Sequence, residues 1–226
     1  MPIKLAFAEA GEGFPLILLH GNGESREYFS AQMEAFASCR HVYAVDTRGH
    51  GSSPRGEAPF TLKQFAKDLE TFRAAHGIET MDLLGFSDGG NIAMLYALAH
   101  PERVRKLILN GANLDPSGVK RSVQRPVEIG YRIASFFAKR DPKAKANTEL
   151  LGLMVNEPHI APAELQKLTM PTLVIAGEKD MIRDDHTRTI AASLPDARLV
   201  ILPGDHFTAA KNPEAFNRAV LRFLQD

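Results

Sequence analysis

The chain has 226 residues, 44% of them hydrophobic, which is enough for one substantial core, and its 27 Lys/Arg balance 27 Asp/Glu, so charge gives no reason to expect nucleic acid or an acidic membrane as its main partner. A single cysteine, Cys39, excludes an internal disulfide and a zinc site built from paired cysteines. The N-terminus has no basic stretch followed by a long apolar run, and no run approaches the about 18 to 20 apolar residues of a membrane span, so the expected compartment is the cytoplasm.

Ile3–Ala8 reads as a short first strand, and Gly11-Glu12-Gly13 as a turn into Phe14–Leu19, a wholly apolar run of strand length. Such a strand is buried on both faces, as in parallel sheets covered by helices. It ends at His20-Gly21-Asn22-Gly23, a glycine-rich turn of the kind that leaves backbone N–H groups free to point into a cleft. A helix is expected from about Arg26 to Ser38, with Phe29, Met33 and Phe36 on one side, followed by a strand over His41–Val45. The polar loop Asp46–Pro54 after it holds Asp46 and His50, which in such a setting tie the loop down through local hydrogen bonds. Thr61 and Gln64 have capping-box spacing, and Leu62, Phe65, Ala66, Leu69 and Phe72 give the following helix one buried face, closed by Gly77.

The most informative stretch comes next. Thr80–Phe86 reads as a strand and Asp88–Ala99 as a helix, joined through Gly85-Phe86-Ser87-Asp88-Gly89. So abrupt a turn forces its middle residue toward positive φ and requires neighbours without bulk two positions away on either side. A serine there is held in the open at the carboxyl end of a strand and the positive end of a helix, a nucleophile's position. Val104–Leu109 is a further strand. From Leu114 to Leu168 the alternation breaks into helical stretches, Val127–Lys139 and Ala146–Asn156, punctuated by Pro116, Pro126, Pro142, Pro158 and Pro162. Eight Lys/Arg between Val119 and Lys145 face only Glu128 and Asp141, a pattern read as a solvated face. The stretch Pro171–Gly177 resumes the sheet and presents Asp180 beyond it. Asp184 opens a helix ending near Leu194, Arg198–Leu202 is the last strand, His206 lies in the loop after it, and Pro213 opens a terminal helix.

Ser87, Asp180 and His206 thus each lie just past the carboxyl end of an expected strand, and in an open parallel sheet those ends converge on one crevice. Each alone is an ordinary turn residue. Together they are what nucleophilic catalysis needs: His206 to take the proton of Ser87, and Asp180 to hold the imidazole and stabilise its charged form.

With these residues in that order, the chain resembles the α/β-hydrolase superfamily over nearly its whole length, through HGNG, DTRGHGSS, GFSDGG, PTLVIAGEKD and GDHF. The resemblance implies an α/β fold with a mostly parallel open sheet of about seven strands flanked by helices, a hydrolase core over 1–113 and 169–226, and a small helical cap over 114–168. It implies Ser87 as nucleophile, Asp180 as acid and His206 as base, with an oxyanion hole from the N–H groups of Asn22 and Asp88, and no metal or cofactor. Asp115, past the preceding strand, is a reserve candidate for the acid. Serine at the elbow argues against epoxide hydrolases and haloalkane dehalogenases, which carry aspartate there. The leading expectation is hydrolysis of small or medium esters. Carbon–carbon bond hydrolases, lactonases, aminopeptidases and perhydrolases share these motifs, and a ligand-binding protein with weak turnover is an alternative of another class. The expected partner is a small ester-like molecule, and the oligomeric state is left open, since Ile129, Ile133, Phe136 and Phe137 of the cap face either the pocket or a second subunit.

Overall fold

A computed structural model describes residues 3–226. Its strands are β1 (Phe7–Ala10), β2 (Pro15–Leu19), β3 (His41–Val45), β4 (Met81–Phe86), β5 (Val104–Asn110), β6 (Thr172–Lys179) and β7 (Ala197–Asp205). They form one sheet in the order β1-β3-β2-β4-β5-β6-β7, parallel except for β1, which runs antiparallel to β3.

Alternation along each strand decides the layering. Ile17 and Leu19 of β2, Leu83 of β4 and Leu107 and Leu109 of β5 enter one apolar cluster; Leu16, Leu18, Leu84 and Ile108, one residue out of phase, enter the other. The first cluster is covered by α2 (Leu62–Ala75), α3 (Asp88–Ala99) and α6 (Asp184–Ser193), and the second by α1 (Ser30–Ala37) and α8 (Pro213–Gln225). The inner strands, β2 to β6, are buried on both faces over most of their length, which is why they read as apolar runs, while the edge strands β1 and β7 are only partly buried.

Several boundaries differ from the sequence expectation. The first strand begins at Phe7, not Ile3. Its register pairs Phe7 with Val45 and Ala10 with Val42, while the Ala6 carbonyl accepts from the Asp46 N–H at 2.9 Å and its own N–H donates to the Ser53 hydroxyl at 2.8 Å. The expected helix over Arg26–Ser38 opens with a 3-10 turn, Arg26–Phe29, before α1. β6 continues to Lys179 and β7 to Asp205, because the two strands pair again beyond a bulge, Lys179 opposite Asp205. That extension carries Asp180 and His206 out of the sheet side by side.

Between β5 and β6 lie α4 (Arg121–Phe137) and α5 (Pro142–Asn156) with two 3-10 turns, Pro116–Gly118 and Pro162–Lys167. Pro142 stands in the first turn of α5, where its missing N–H costs nothing. Pro126, expected to punctuate, lies inside α4 on its exposed side. Gln124 of α4 donates to the carbonyl of Met154 in α5 at 3.0 Å, fastening the pair. No helix among the described residues is long and apolar enough to cross a membrane.

Candidate active site

The strand order reverses between β2 and β4: from β2 the chain moves to β3 on one side, then returns to β4 on the other. Loops leaving two such strands diverge and open a crevice at their carboxyl ends. Leu19 is the register partner of Gly85, so the loop beginning at His20 runs beside Phe86 and Ser87.

Ser87 has φ 53° and ψ −120°, the only positive φ at a non-glycine position among the described residues. A conformation this costly, on the order of 1 to 3 kcal/mol, persists only where the surroundings impose it. They do so through close backbone crossings. A Cβ on Gly85 would strike the Gly89 carbonyl, and one on Gly89 would strike that of Leu19. The Ser87 N–H donates to Asn110 of β5 at 2.8 Å, and its carbonyl accepts from Gly90 and Asn91, seating it as the residue that launches α3.

The three residues singled out from the sequence are brought into one chain of contacts. Ser87 Oγ lies 3.0 Å from His206 Nε2, and His206 Nδ1 lies 2.6 Å from Asp180 Oδ1. A carboxylate only accepts, so Nδ1 carries the proton and Nε2 accepts from the serine hydroxyl. Asp180 is itself fixed, Oδ1 accepting from the Ile182 N–H at 2.9 Å and Oδ2 from the Gly177 N–H at 3.3 Å. Lys120 Nζ reaches the Asp180 carbonyl at 2.5 Å. Beneath the imidazole, a Cβ on Gly111 would stand 2.7 Å from His206 Cε1. Asp115, the reserve acid, instead caps the turn at Ser117, whose N–H it accepts at 2.8 Å, and its carboxyl lies within electrostatic range of His186 and His159.

The other two predicted residues flank Ser87. The backbone N–H groups of Asn22 and Asp88 make no hydrogen bond among the described residues, and that of Asp88 is the first of α3. The Asn22 side chain donates to the Leu150 carbonyl at 2.8 Å, tying the loop after β2 to α5.

Acidic side chains for which the sequence suggested no chemical role add charge around the site. The Asp88 carboxyl is sealed, accepts from Asn91 Nδ2 at 3.2 Å through Oδ1, and leaves Oδ2 without a partner. Burial first, and then the charge of Glu157, push it up from 3.8 to about 7. Glu24 accepts from the Gly21 N–H at 3.2 Å and lies within electrostatic range of His206; burial raises it too, as it does Glu157. The Tyr28 ring stacks on Phe86 with centroids 4.2 Å apart, and its buried hydroxyl has no partner. Asp88 follows Ser87 directly in the chain, whereas only packing brings Glu24 and Tyr28 toward the site, and no spacing in the sequence announces it.

The DTRGHGSS loop is structural, as expected. Asp46 accepts from the Arg26 N–H, the Arg26 guanidinium and the Ser52 N–H, and Arg48 is held by both oxygens of Asp68 at 2.6 Å. His20 accepts from the Thr47 N–H at 3.0 Å, and burial holds its imidazole down at about 4, hence neutral. A surface hollow of about 360 Å³ between α2 and α3, lined by Ala66, Leu95, Leu98, His100 and His159, contains none of the residues around Ser87. Among the described residues no cluster of His, Cys, Asp or Glu is placed to hold a metal ion.

Residues 15–128 match the family described as alpha/beta hydrolase fold. The chain is 30% identical to the provisionally named carbamate hydrolase RutD of Caulobacter sp. (strain K31), over 92% of this chain and 90% of that one. It is 28% identical to a 2-hydroxymuconate semialdehyde hydrolase of Pseudomonas putida, over 96% and 89%. Among solved structures, the enol-lactonase of Burkholderia xenovorans LB400 superposes with a TM-score of 0.83 at 21% identity, over 99% of this chain and 97% of that one.

Proposed function

Because the chain belongs to the alpha/beta hydrolase fold family, we propose that it is a carboxylic ester hydrolase for small or medium esters, with Ser87 as nucleophile, His206 as base and Asp180 as orienting acid. The observation that carries this reading is the unbroken contact from Ser87 Oγ to His206 Nε2 and from Nδ1 to Asp180, beside two uncommitted N–H groups.

Ser87 Oγ attacks the ester carbonyl carbon while its proton passes to His206 Nε2. Asp180, accepting from Nδ1–H, stabilises the imidazolium that forms. The carbonyl electrons move onto oxygen, which accepts from the Asn22 and Asp88 N–H groups, each contributing about 3 kcal/mol. Collapse breaks the bond to the alkoxy oxygen, which takes the proton from Nε2 and leaves as alcohol. Water then attacks the acyl-enzyme, giving a proton to His206, and the carboxylic acid departs as Ser87 is restored. Residues 114–168 act as the cap that shapes the substrate cavity, bound to the site through Asn22 and Leu150.

The surroundings favour an uncharged substrate. Glu24 lies within electrostatic range of His206 and the buried Asp88 carboxyl within range of Glu157, while the basic stretch of the segment between β5 and β6 is solvent-exposed and touches the site only through Lys120, at the Asp180 carbonyl. A ring-cleavage product carrying carboxylates would come within range of Glu24 beside His206, whereas a neutral ester or lactone meets no such repulsion. The relative named as a 2-hydroxymuconate semialdehyde hydrolase and the structural neighbour named as an enol-lactonase keep carbon–carbon hydrolysis and lactone opening as comparators.

The test compares kcat/KM for p-nitrophenyl acetate, butyrate and octanoate, an uncharged lactone, and the dianionic ring-cleavage product. The proposal expects neutral esters to lead. A tenfold or greater preference for the dianion would replace it with carbon–carbon hydrolysis, and tight binding with slow single turnover would replace it with a ligand-binding role.

A further inference from the structure

The outer face of α4 is apolar and has no partner. Ile129, Ile133 and Phe136, at spacings of four and three, lie on one side of the helix with Phe137 beside them, and they are 59%, 58%, 79% and 50% exposed. The opposite side is engaged: Gln124 and Ala134 are buried, Gln124 donates to Met154, and Tyr131 packs at Gly152 of α5. It is α5 that meets the site, through Leu150, so the stripe faces away from Ser87.

Charge is concentrated around the same stripe. Arg125 precedes Ile129 by four residues and Arg132 precedes Phe136 by four, which sets both on its edge. Lys139, Arg140, Lys143 and Lys145 follow at its end, all exposed, and none of these six cations makes an ion pair among the described residues. Residues 120–145 hold eight of the 27 basic and two of the 27 acidic residues, so the rest of the chain is net negative by six. A neutral total conceals a strongly polarised molecule.

We propose that this face of α4 docks on the surface of an anionic lipid bilayer, Ile129, Ile133, Phe136 and Phe137 entering the boundary between headgroups and acyl chains while the flanking cations meet lipid phosphates. An exposed apolar stripe edged by Lys and Arg, on a helix that cannot span, is the pattern of a segment that lies in the interface. A second copy is the poorer occupant, because a two-fold contact through this face would set the same unpaired cations against themselves.

Flotation with phosphatidylcholine vesicles, with and without phosphatidylglycerol, tests the proposal on the intact chain at about 0.1 M salt, where charges act over roughly 10 Å. The protein should float with the anionic vesicles, be left behind by pure phosphatidylcholine, and be released by high salt. The exposed double variant Ile133→Ser/Phe136→Ser should bind at least tenfold more weakly, as should Arg132→Gln/Arg140→Gln, with thermal unfolding and hydrolysis of a soluble ester unchanged. No flotation with either vesicle, or flotation undiminished in the double variants, would overturn the assignment. So would a dimer in sedimentation velocity that Ile133→Ser/Phe136→Ser dissociates, since the stripe would then be an interface between copies.

Discussion

His206 Nδ1 lies 2.6 Å from Asp180 Oδ1, and the two side chains are only 4% and 3% exposed. The pair is almost wholly shielded from water, and Nε2, on the far side of the ring, accepts from the Ser87 hydroxyl at 3.0 Å. Replacing Asp180 by Asn offers Nδ1 an amide in place of a carboxylate and favours the wrong tautomer. Asp180→Asn should lower kcat toward p-nitrophenyl acetate by about 10³ to 10⁴, with KM changed far less. A kcat within tenfold of wild type would remove Asp180 from the role assigned here.

Gly111 supports the same imidazole from below, with φ +61° and no room for a methyl group, since a Cβ would stand 2.7 Å from His206 Cε1. Gly111→Ala should displace the ring and lower kcat by about tenfold or more, and cost about 1 to 2 kcal/mol of stability from the strained backbone. Kinetics and denaturant unfolding of one preparation measure both.

Burial raises the Asp88 carboxyl to about 7, above its ordinary 3.8, so the folded protein holds a proton that the unfolded chain releases between those values. The stabilising contribution is fully present below about pH 4 and is lost as pH rises through 7. Wild type should therefore lose up to about 4 kcal/mol over this window relative to Asp88→Asn, which cannot ionise. Urea unfolding at several pH values measures it, and parallel stability profiles would contradict it.

Glu149 of α5 takes both arms of Arg55 at 2.7 and 2.8 Å, joining the loop after β3 to the helix that meets Asn22. The pair is partly exposed, so Glu149→Gln should cost less than about 1 kcal/mol globally. Its effect should be local, with faster amide exchange across α5 and little change in β4 and β5. Equal acceleration throughout the chain would show that the tie is global.

Much of the fold was legible because its strands are apolar on both faces and end in glycine-rich loops. Ser87, Asp180 and His206 could be found because each follows such a strand directly. Asp82 shows where this reading stops. It sits inside β4, wholly buried, and is neutralised at the sheet's other end by Arg40 and Arg105, residues distant in sequence. Glu24, within range of His206, and Glu157, within range of Asp88, were illegible for the same reason: tertiary packing, not local pattern, brings them there. Pro126 misled because a proline on the exposed side of a helix sacrifices a hydrogen bond that solvent replaces. The ends of β6 and β7 were placed too early because their last pairing, Lys179 opposite Asp205, lies beyond a bulge and rests on backbone contacts rather than apolar side chains.

The central claim is that Ser87 is an activated nucleophile, and intact-mass detection of labelling by a fluorophosphonate, on wild type and Ser87→Ala, tests it most directly. One adduct per chain on wild type and none on the variant, with ester turnover lost in parallel, is the result this geometry predicts. An unlabelled wild type, or a Ser87→Ala protein that still labels and still hydrolyses esters, would contradict it.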